Sequence, residues 1–302
     1  MLLFLEGAEK RNVHDEKTQQ KQGEESMKNL KKSAGVVATL LLSMSLLVVG
    51  CGGQSASNTS GQPAAGGESN AAASGMTKEA GVFTYAASGE YQPFSYFKDG
   101  QLTGFDIEIG EEIAKRLGMK ANAVTSPFSG IIAGVKEGRY DAAIASHAIT
   151  EERKQQIDFA DPYYLSGGQL FTRPDGNITT LDQLKGKEVA VALGTTHEKM
   201  ARQYTDNIKT YDSDVTALRA LEQGKHDVVI TDSVVGEIAI GQGLKIKKSG
   251  AALTEVQHGI AVRKGNTELL NKINEALKAM HEDGTYVKLS EKYFKRDISK
   301  KD

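Results

Sequence analysis

Arg153 stands in the charged run Glu151-Glu152-Arg153-Lys154, in the first turn of a helix that Thr150 starts. A planar guanidinium offers a carboxylate two parallel hydrogen bonds, although a lone Arg in such a run is equally the mark of a solvated helix face. Asp232 ends the strand-like stretch 228–230 and precedes Ser233. It offers either a carboxylate for a cation or the N-cap of the next helix. Thr195 and Thr196 occupy a turn before a helix opening near Glu198; N–H groups at such a turn bind carboxylates, and the same threonines serve as caps. Tyr91 and Phe128 bring flat apolar area with few rotatable bonds, to a ligand or to the core. The 6 His are scattered without metal-ligand spacing, so no metal site is expected, and His147 at a strand end either faces a pocket or, as is commoner for a lone His there, lies at the surface.

These side chains need elements to hold them. Strand-like runs lie at 82–86, 141–145, 188–192, 208–211, 227–230 and 259–262, and helical patterns at 105–117, 130–137, 198–204, 215–223, 233–240, 267–283 and 287–294. Ile109, Ile113 and Leu117 show the apolar i, i+4, i+8 spacing of a helix that Gly118 stops. Alternation of this kind predicts an α/β protein with mostly parallel sheets covered by helices on both faces. The stretch 135–146 aligns without gaps to 221–232, each a helix end, a Gly, a turn, an Asp and an apolar strand. Any helix–Gly–strand connection looks similar; if the repeat is real, Ser146 and Asp232 hold equivalent places at strand C-terminal ends, where open α/β sheets bind ligands. Two facing lobes then enclose a cleft.

The chain has 302 residues, 39% of them hydrophobic and 25% charged, enough for two domains of ordinary size. Lys+Arg number 37 against 39 Asp+Glu, a net charge of -2 that leaves no basic footprint for nucleic acid. The single cysteine, Cys51, excludes an intrachain disulfide and any multi-cysteine zinc or iron–sulfur centre.

Residues 1–26 are polar and unpatterned, and Met27 is the expected true start, which makes 1–26 a dispensable or untranslated extension. Residues 27–50 then read as a secretory signal, with Lys28, Lys31 and Lys32 ahead of an uncharged run too short to span a membrane. Its end at Val48-Val49-Gly50-Cys51 resembles a bacterial lipobox, which implies thioether lipidation of Cys51, cleavage before it and acylation of the new N-terminus. Residues 51–80 are expected to form a flexible tether, because 52–75 are almost wholly Gly, Ser, Ala, Asn and Gln.

From 82 to 294 the chain resembles the bacterial extracellular solute-binding proteins of the polar amino-acid class (family 3), which serve ABC importers. The resemblance is carried by Tyr91-Gln92-Pro93-Phe94, Leu102-Thr103-Gly104-Phe105-Asp106, Phe128-Ser129-Gly130-Ile131-Ile132, Ile149 through Lys154, Ile157 through Tyr164, Leu184 through Lys187, Gly194-Thr195-Thr196, Gly259 through Val262 and Asp283 through Tyr286. It implies a type II periplasmic-binding-protein fold: a large lobe of 81–164 and 259–302, a small inserted lobe of 165–258, and two hinge strands near 163–167 and 254–258. By the same resemblance Arg153 grips a ligand α-carboxylate, Asp232 takes its α-ammonium, Tyr91 and Phe128 sandwich its side chain, and Ser88, Ser146, Ala148, Thr195 and Thr196 complete the site.

Departures from the pattern bear on the ligand. Ala148 stands where a hydroxyl residue is usual, so one carboxylate hydrogen bond is absent or supplied by backbone. Ser88 replaces the Asp of members that bind cationic amino acids, which disfavours lysine and arginine, with Glu90 close by as a counterweight. Ala192 replaces a polar group seen in glutamine-binding members, while 193–198 and 210–214 lean toward cystine-binding ones. The resemblance thus implies a lipid-anchored, extracytoplasmic monomer without cofactor or catalytic residues. It would capture a polar or neutral amino acid, cystine or glutamine among them, for a membrane permease and its ATPase. The alternatives are a cyclohexadienyl-type dehydratase on the same fold, with Glu90 and His147 as the available acid–base groups, and a receptor's sensor lobe, disfavoured because no second span or signalling domain is seen up to Asp302.

Overall fold

The structure, a computed structural model, describes residues 75–300. The calls on 1–26, on the signal 27–50, on Cys51 and on the tether as far as 74 lie outside the described residues. The tether expected to reach residue 80 ends sooner. Met76 and Thr77 are buried, Asn266 Nδ2 donates to the Met76 carbonyl at 2.9 Å, and the Lys78 N–H donates to Asp141 at 2.6 Å. Apolar cover and satisfied backbone groups offset the ordering entropy from Met76 onward.

Strand β1 (Val82–Ala87) leads into a small antiparallel sheet of β2 (Glu90–Tyr91), β3 (Ser95–Lys98) and β4 (Gln101–Thr103). Helix α1 (Phe105–Arg116), β5 (Lys120–Thr125), α2 (Phe128–Lys136), β6 (Ala142–Ala148), the short α3 (Glu151–Lys154) and β7 (Ile157–Ser166) follow. Past Gly167 come β8 (Gly168–Thr172), a 3-10 turn at Leu181–Leu184, β9 (Val189–Ala192), α4 (Thr196–Ala201), β10 (Ile208–Tyr211), α5 (Asp214–Glu222), β11 (Val228–Asp232), α6 (Ser233–Gly241) and β12 (Lys247–Ser249). The chain then returns through β13 (Val256–Arg263) to α7 (Thr267–Glu282) and α8 (Thr285–Phe294).

The strands form two five-stranded sheets, ordered β5-β1-β6-β13-β7 and β10-β9-β11-β8-β12. In each, the three strands linked by helical crossovers pair in parallel, as the alternation predicts, and the two strands that carry the chain between or along the lobes pair antiparallel. Both faces of the first sheet are buried. Along β6, Ala142 and Ile144 join one apolar cluster while Ala143 and Ala145 join another, which is why the run reads as continuously apolar.

Two segments join the sheets, at Gly167 and over residues 250–255. They cross in contact: the Gly168 N–H donates to Thr254 Oγ1 at 2.8 Å, and a Cβ on Gly167 would lie 1.8 Å from the Thr254 carbonyl oxygen. Ser166 and Val256, paired with each other, still belong to the first sheet, beyond the bounds expected for the large lobe.

The internal repeat is structural. Gly138 (φ 72) and Gly224 (φ 76) turn the chain out of α2 and α5 in left-handed conformations. Asp141 then accepts the Thr84 N–H at 2.7 Å and Asp227 the Glu188 N–H at 2.9 Å, so each Asp ties its incoming strand to the neighbouring one. Asp232 ends β11, whereas its counterpart Ser146 lies inside β6, which runs on to Ala148.

Candidate functional site

Thr150 caps α3 by accepting the Arg153 N–H at 3.2 Å, and this turn aims the Arg153 side chain back across the end of β6. Its Nη1 donates to the Ala148 carbonyl at 2.9 Å and its Nη2 to the Gly194 carbonyl of the opposite lobe at 3.3 Å. The Ala148 carbonyl thus anchors the guanidinium; as an acceptor it supplies no donor in place of the hydroxyl that the position lacks. Two of the five guanidinium N–H donors are engaged in this way. The Phe128 ring lies under the guanidinium, 5.9 Å from its centroid.

Asp232 takes the capping role that its place at a strand end allows and keeps a second oxygen in the cavity wall. Its Oδ1 caps α6 by accepting the Val234 N–H at 3.0 Å and also accepts the Ser166 hydroxyl at 2.6 Å, while Oδ2 is buried without a hydrogen-bond partner. Burial pushes its carboxyl up to about 7, against the hydrogen bonds that favour the charge.

Ser146, not a glycine, adopts φ 56. Its hydroxyl donates to Asp106 Oδ2 at 3.0 Å, its N–H donates to the Tyr163 hydroxyl at 3.1 Å, and Tyr163 donates to Asp106 Oδ1 at 2.7 Å. Asp106 is fully buried, and burial raises its carboxyl to about 7. This triangle holds the end of β6 in its unusual conformation.

Thr195 caps α4 by accepting the Glu198 N–H at 3.1 Å and spends its proton on the Ala192 carbonyl at 2.7 Å. The cap starts the helix at Thr196, earlier than the pattern suggests. The Glu198 carboxylate takes the Gly194 N–H at 2.7 Å, so part of the donor capacity of this turn is already used.

Ser88, Tyr91, Phe128, Ser146, Ala148, Arg153, Thr195, Thr196 and Asp232 all line one cavity. Tyr91 reaches it stacked on Phe94, at 5.2 Å between ring centroids. His147 is no surface residue: it is 1% exposed, because β6 runs on to Ala148 and the Phe128 ring covers it at 4.4 Å. Burial, then Arg153 and His258, hold its pKa well below the usual value. It lines the neighbouring groove, and Glu90 lines another, rather than this cavity.

Sequence reasoning missed His197 and His258, which also line the cavity. Burial and nearby positive groups push them down to about 4 and about 3. Ala192, Asp212, Ser213 and Asp214 complete the wall; Asp214, buried and held by Thr231 at 2.6 Å, is raised to about 6. His258 adjoins the Gly259 motif inside the expected hinge strand, a position whose side-chain direction only the sheet register fixes.

Two α/β lobes joined by crossing strands, with an Arg and an Asp in the cleft between them, define a two-lobed solute-binding protein. The chain belongs to the bacterial extracellular solute-binding proteins, family 3, whose family pattern matches residues 83–296. The L-cystine-binding protein TcyJ of Escherichia coli (strain K12) is 37% identical over 229 residues, 74% of this chain and 86% of that protein. An ancestral arginine-binding protein bound to glutamine superposes with a TM-score of 0.67 at 38% identity, covering 72% of this chain and 99% of the other. The ancestral amino acid-binding protein AncCDT-1, a precursor of cyclohexadienyl dehydratase, gives a TM-score of 0.65 at 36% identity over 71% of this chain and 96% of its own.

Proposed function

We propose that this protein is the substrate-binding component of an amino-acid ABC importer and captures a free amino acid, without chemistry, between its lobes. Arg153 pairs with the α-carboxylate and Asp232 with the α-ammonium, while Phe128 and Tyr91 flank the side chain. One observation carries the reading: a guanidinium from the first lobe and a buried carboxylate with an unpartnered oxygen from the second line the same cavity. One cation and one anion facing one space suit a zwitterion. The lobes close about the crossing at Gly167 and Thr254, and a membrane permease with its ATPase receives the ligand. The chain works as a monomer held at the extracytoplasmic face of the membrane through a lipid on Cys51. The positions of Glu90 and His147 outside the cavity favour binding over a dehydratase role.

Thermal unfolding of ligand-stripped protein against the twenty amino acids and cystine tests this. A ligand at about a hundred times its dissociation constant adds roughly 2.7 kcal/mol. A stabilisation confined to one or a few amino acids, and lost in Arg153→Ala and Asp232→Asn, is expected; no response to any of them overturns the amino-acid reading.

A further inference from the structure

Asp232 and His258 face each other in the cavity wall with an unfilled gap between them. Asp232 Oδ1 is occupied by Ser166 and Val234, whereas Oδ2 has no hydrogen-bond partner and lies 3.7 Å from His258 Nε2. That separation is too long for a direct hydrogen bond.

The sheet fixes His258 firmly. Its register on β13 sets it opposite Ala148 on one side and Tyr164 on the other. The imidazole lies flat on the Tyr164 ring, with 4.2 Å between centroids and 5° between planes, and is 5% exposed. Burial keeps the ring neutral first, and the nearby Arg153 charge adds to it. A neutral imidazole has one N–H and one lone pair. Nδ1 is buried and makes no hydrogen bond. With a cation between Nε2 and the carboxylate, the N–H belongs on Nδ1 and the lone pair on Nε2. A carboxylate oxygen and a nitrogen lone pair then confront each other, and such a pair calls for a donor that reaches both.

A primary ammonium is such a donor, with a positive charge and three N–H groups in a tetrahedral array. We propose that His258 is a ligand-binding residue, its neutral Nε2 accepting a second hydrogen bond from the α-ammonium that Asp232 holds. This rests on the zwitterion reading above and adds a residue from the hinge strand to it. His258 thus links the ammonium to the strand on which the lobes pivot, next to Ala148, whose carbonyl holds the carboxylate-binding Arg153.

Isothermal titration at pH 7.5 with L-cystine, L-glutamine and L-arginine, on wild type, His258→Phe and His258→Gln, tests the assignment. Phe keeps the stack on Tyr164 and loses the acceptor; Gln loses the stack and keeps an acceptor oxygen near Nε2. For any probe that wild type binds, Phe is expected to weaken binding roughly tenfold to a hundredfold and Gln to stay within about threefold. A purely packing role predicts the reverse order. If Phe binds as wild type does, or Gln is the more damaged of the two, the role of His258 is overturned while the zwitterion reading stands. If wild type binds none of the three, the amino acid that stabilises best in the thermal screen replaces them as probe, and if none of the twenty nor cystine binds, the zwitterion reading falls and takes this one with it.

Discussion

At the scale of single residues, Asp232 sets how the site responds to acid. Its carboxyl is raised to about 7 by burial, so near neutral pH about half of the unliganded molecules carry it protonated. An ammonium prefers the ionised form, and its binding lowers the pKa. Affinity is therefore expected to fall about tenfold for each pH unit below about 7, and to level off above it. Titration calorimetry from pH 5.5 to 8 with the amino acid that stabilises best checks this. Asp232→Asn should bind more weakly and lose the slope; a wild-type affinity flat across that range contradicts the role. Much at this scale was legible, through the family resemblance rather than through residue type, and all nine expected residues line the cavity. His147 and His258 were not, because a histidine's solvent exposure depends on what covers it, here Phe128 and Tyr164.

At the scale of elements, the lobe crossing depends on Gly167. Its backbone passes so near the Thr254 carbonyl that a Cβ would lie 1.8 Å from that oxygen. Gly167→Ala is expected to push the segments apart, costing about 1–3 kcal/mol in urea unfolding and weakening ligand binding in parallel. Gly241, at the end of α6 with nothing within 4 Å of a Cβ, is the control: Gly241→Ala is expected to be neutral or stabilising by about 0.5–1 kcal/mol. Equal losses in the two variants would remove the special role of the crossing. Long helices such as α7 were readable from Leu270, Ile273, Leu277 and Met280 alone. The edge strands β5 and β12 were not, although the edge strand β10 was. β12 reads Lys247-Lys248-Ser249 and β5 alternates exposed with half-buried residues, so neither has the apolar run that marks a central strand.

At the scale of the whole molecule, the buried groups in and behind the cleft oppose one another. Asp106 and Asp232 are raised to about 7 and Asp214 to about 6, while His197 is lowered to about 4, His258 to about 3 and His147 well below its usual value. The folded aspartates keep protons that the unfolded chain releases, so they make stability rise as pH falls from about 7 toward 4. The folded histidines refuse protons that the unfolded chain takes up, so they make it fall as pH drops below about 6.5. The slopes largely cancel, and the Tm of the unliganded protein is expected to change by less than about 5 °C between pH 7 and 5. Calorimetry of stripped protein checks this; a fall of more than about 10 °C shows that the histidines dominate.

The amino-acid sequence by itself determined the strand–helix alternation, through local periodicity that does not depend on distant contacts. Its motifs carried the family resemblance, and that resemblance singled out the cation and the anion that line the cavity. Only the tertiary structure decided that Ala148 serves Arg153 through its carbonyl, that Asp106 holds Ser146 at φ 56, and that Asp232 Oδ2 is left facing His258. Each of these joins groups far apart in the chain, and strand register and burial, not residue type, set the distance between them.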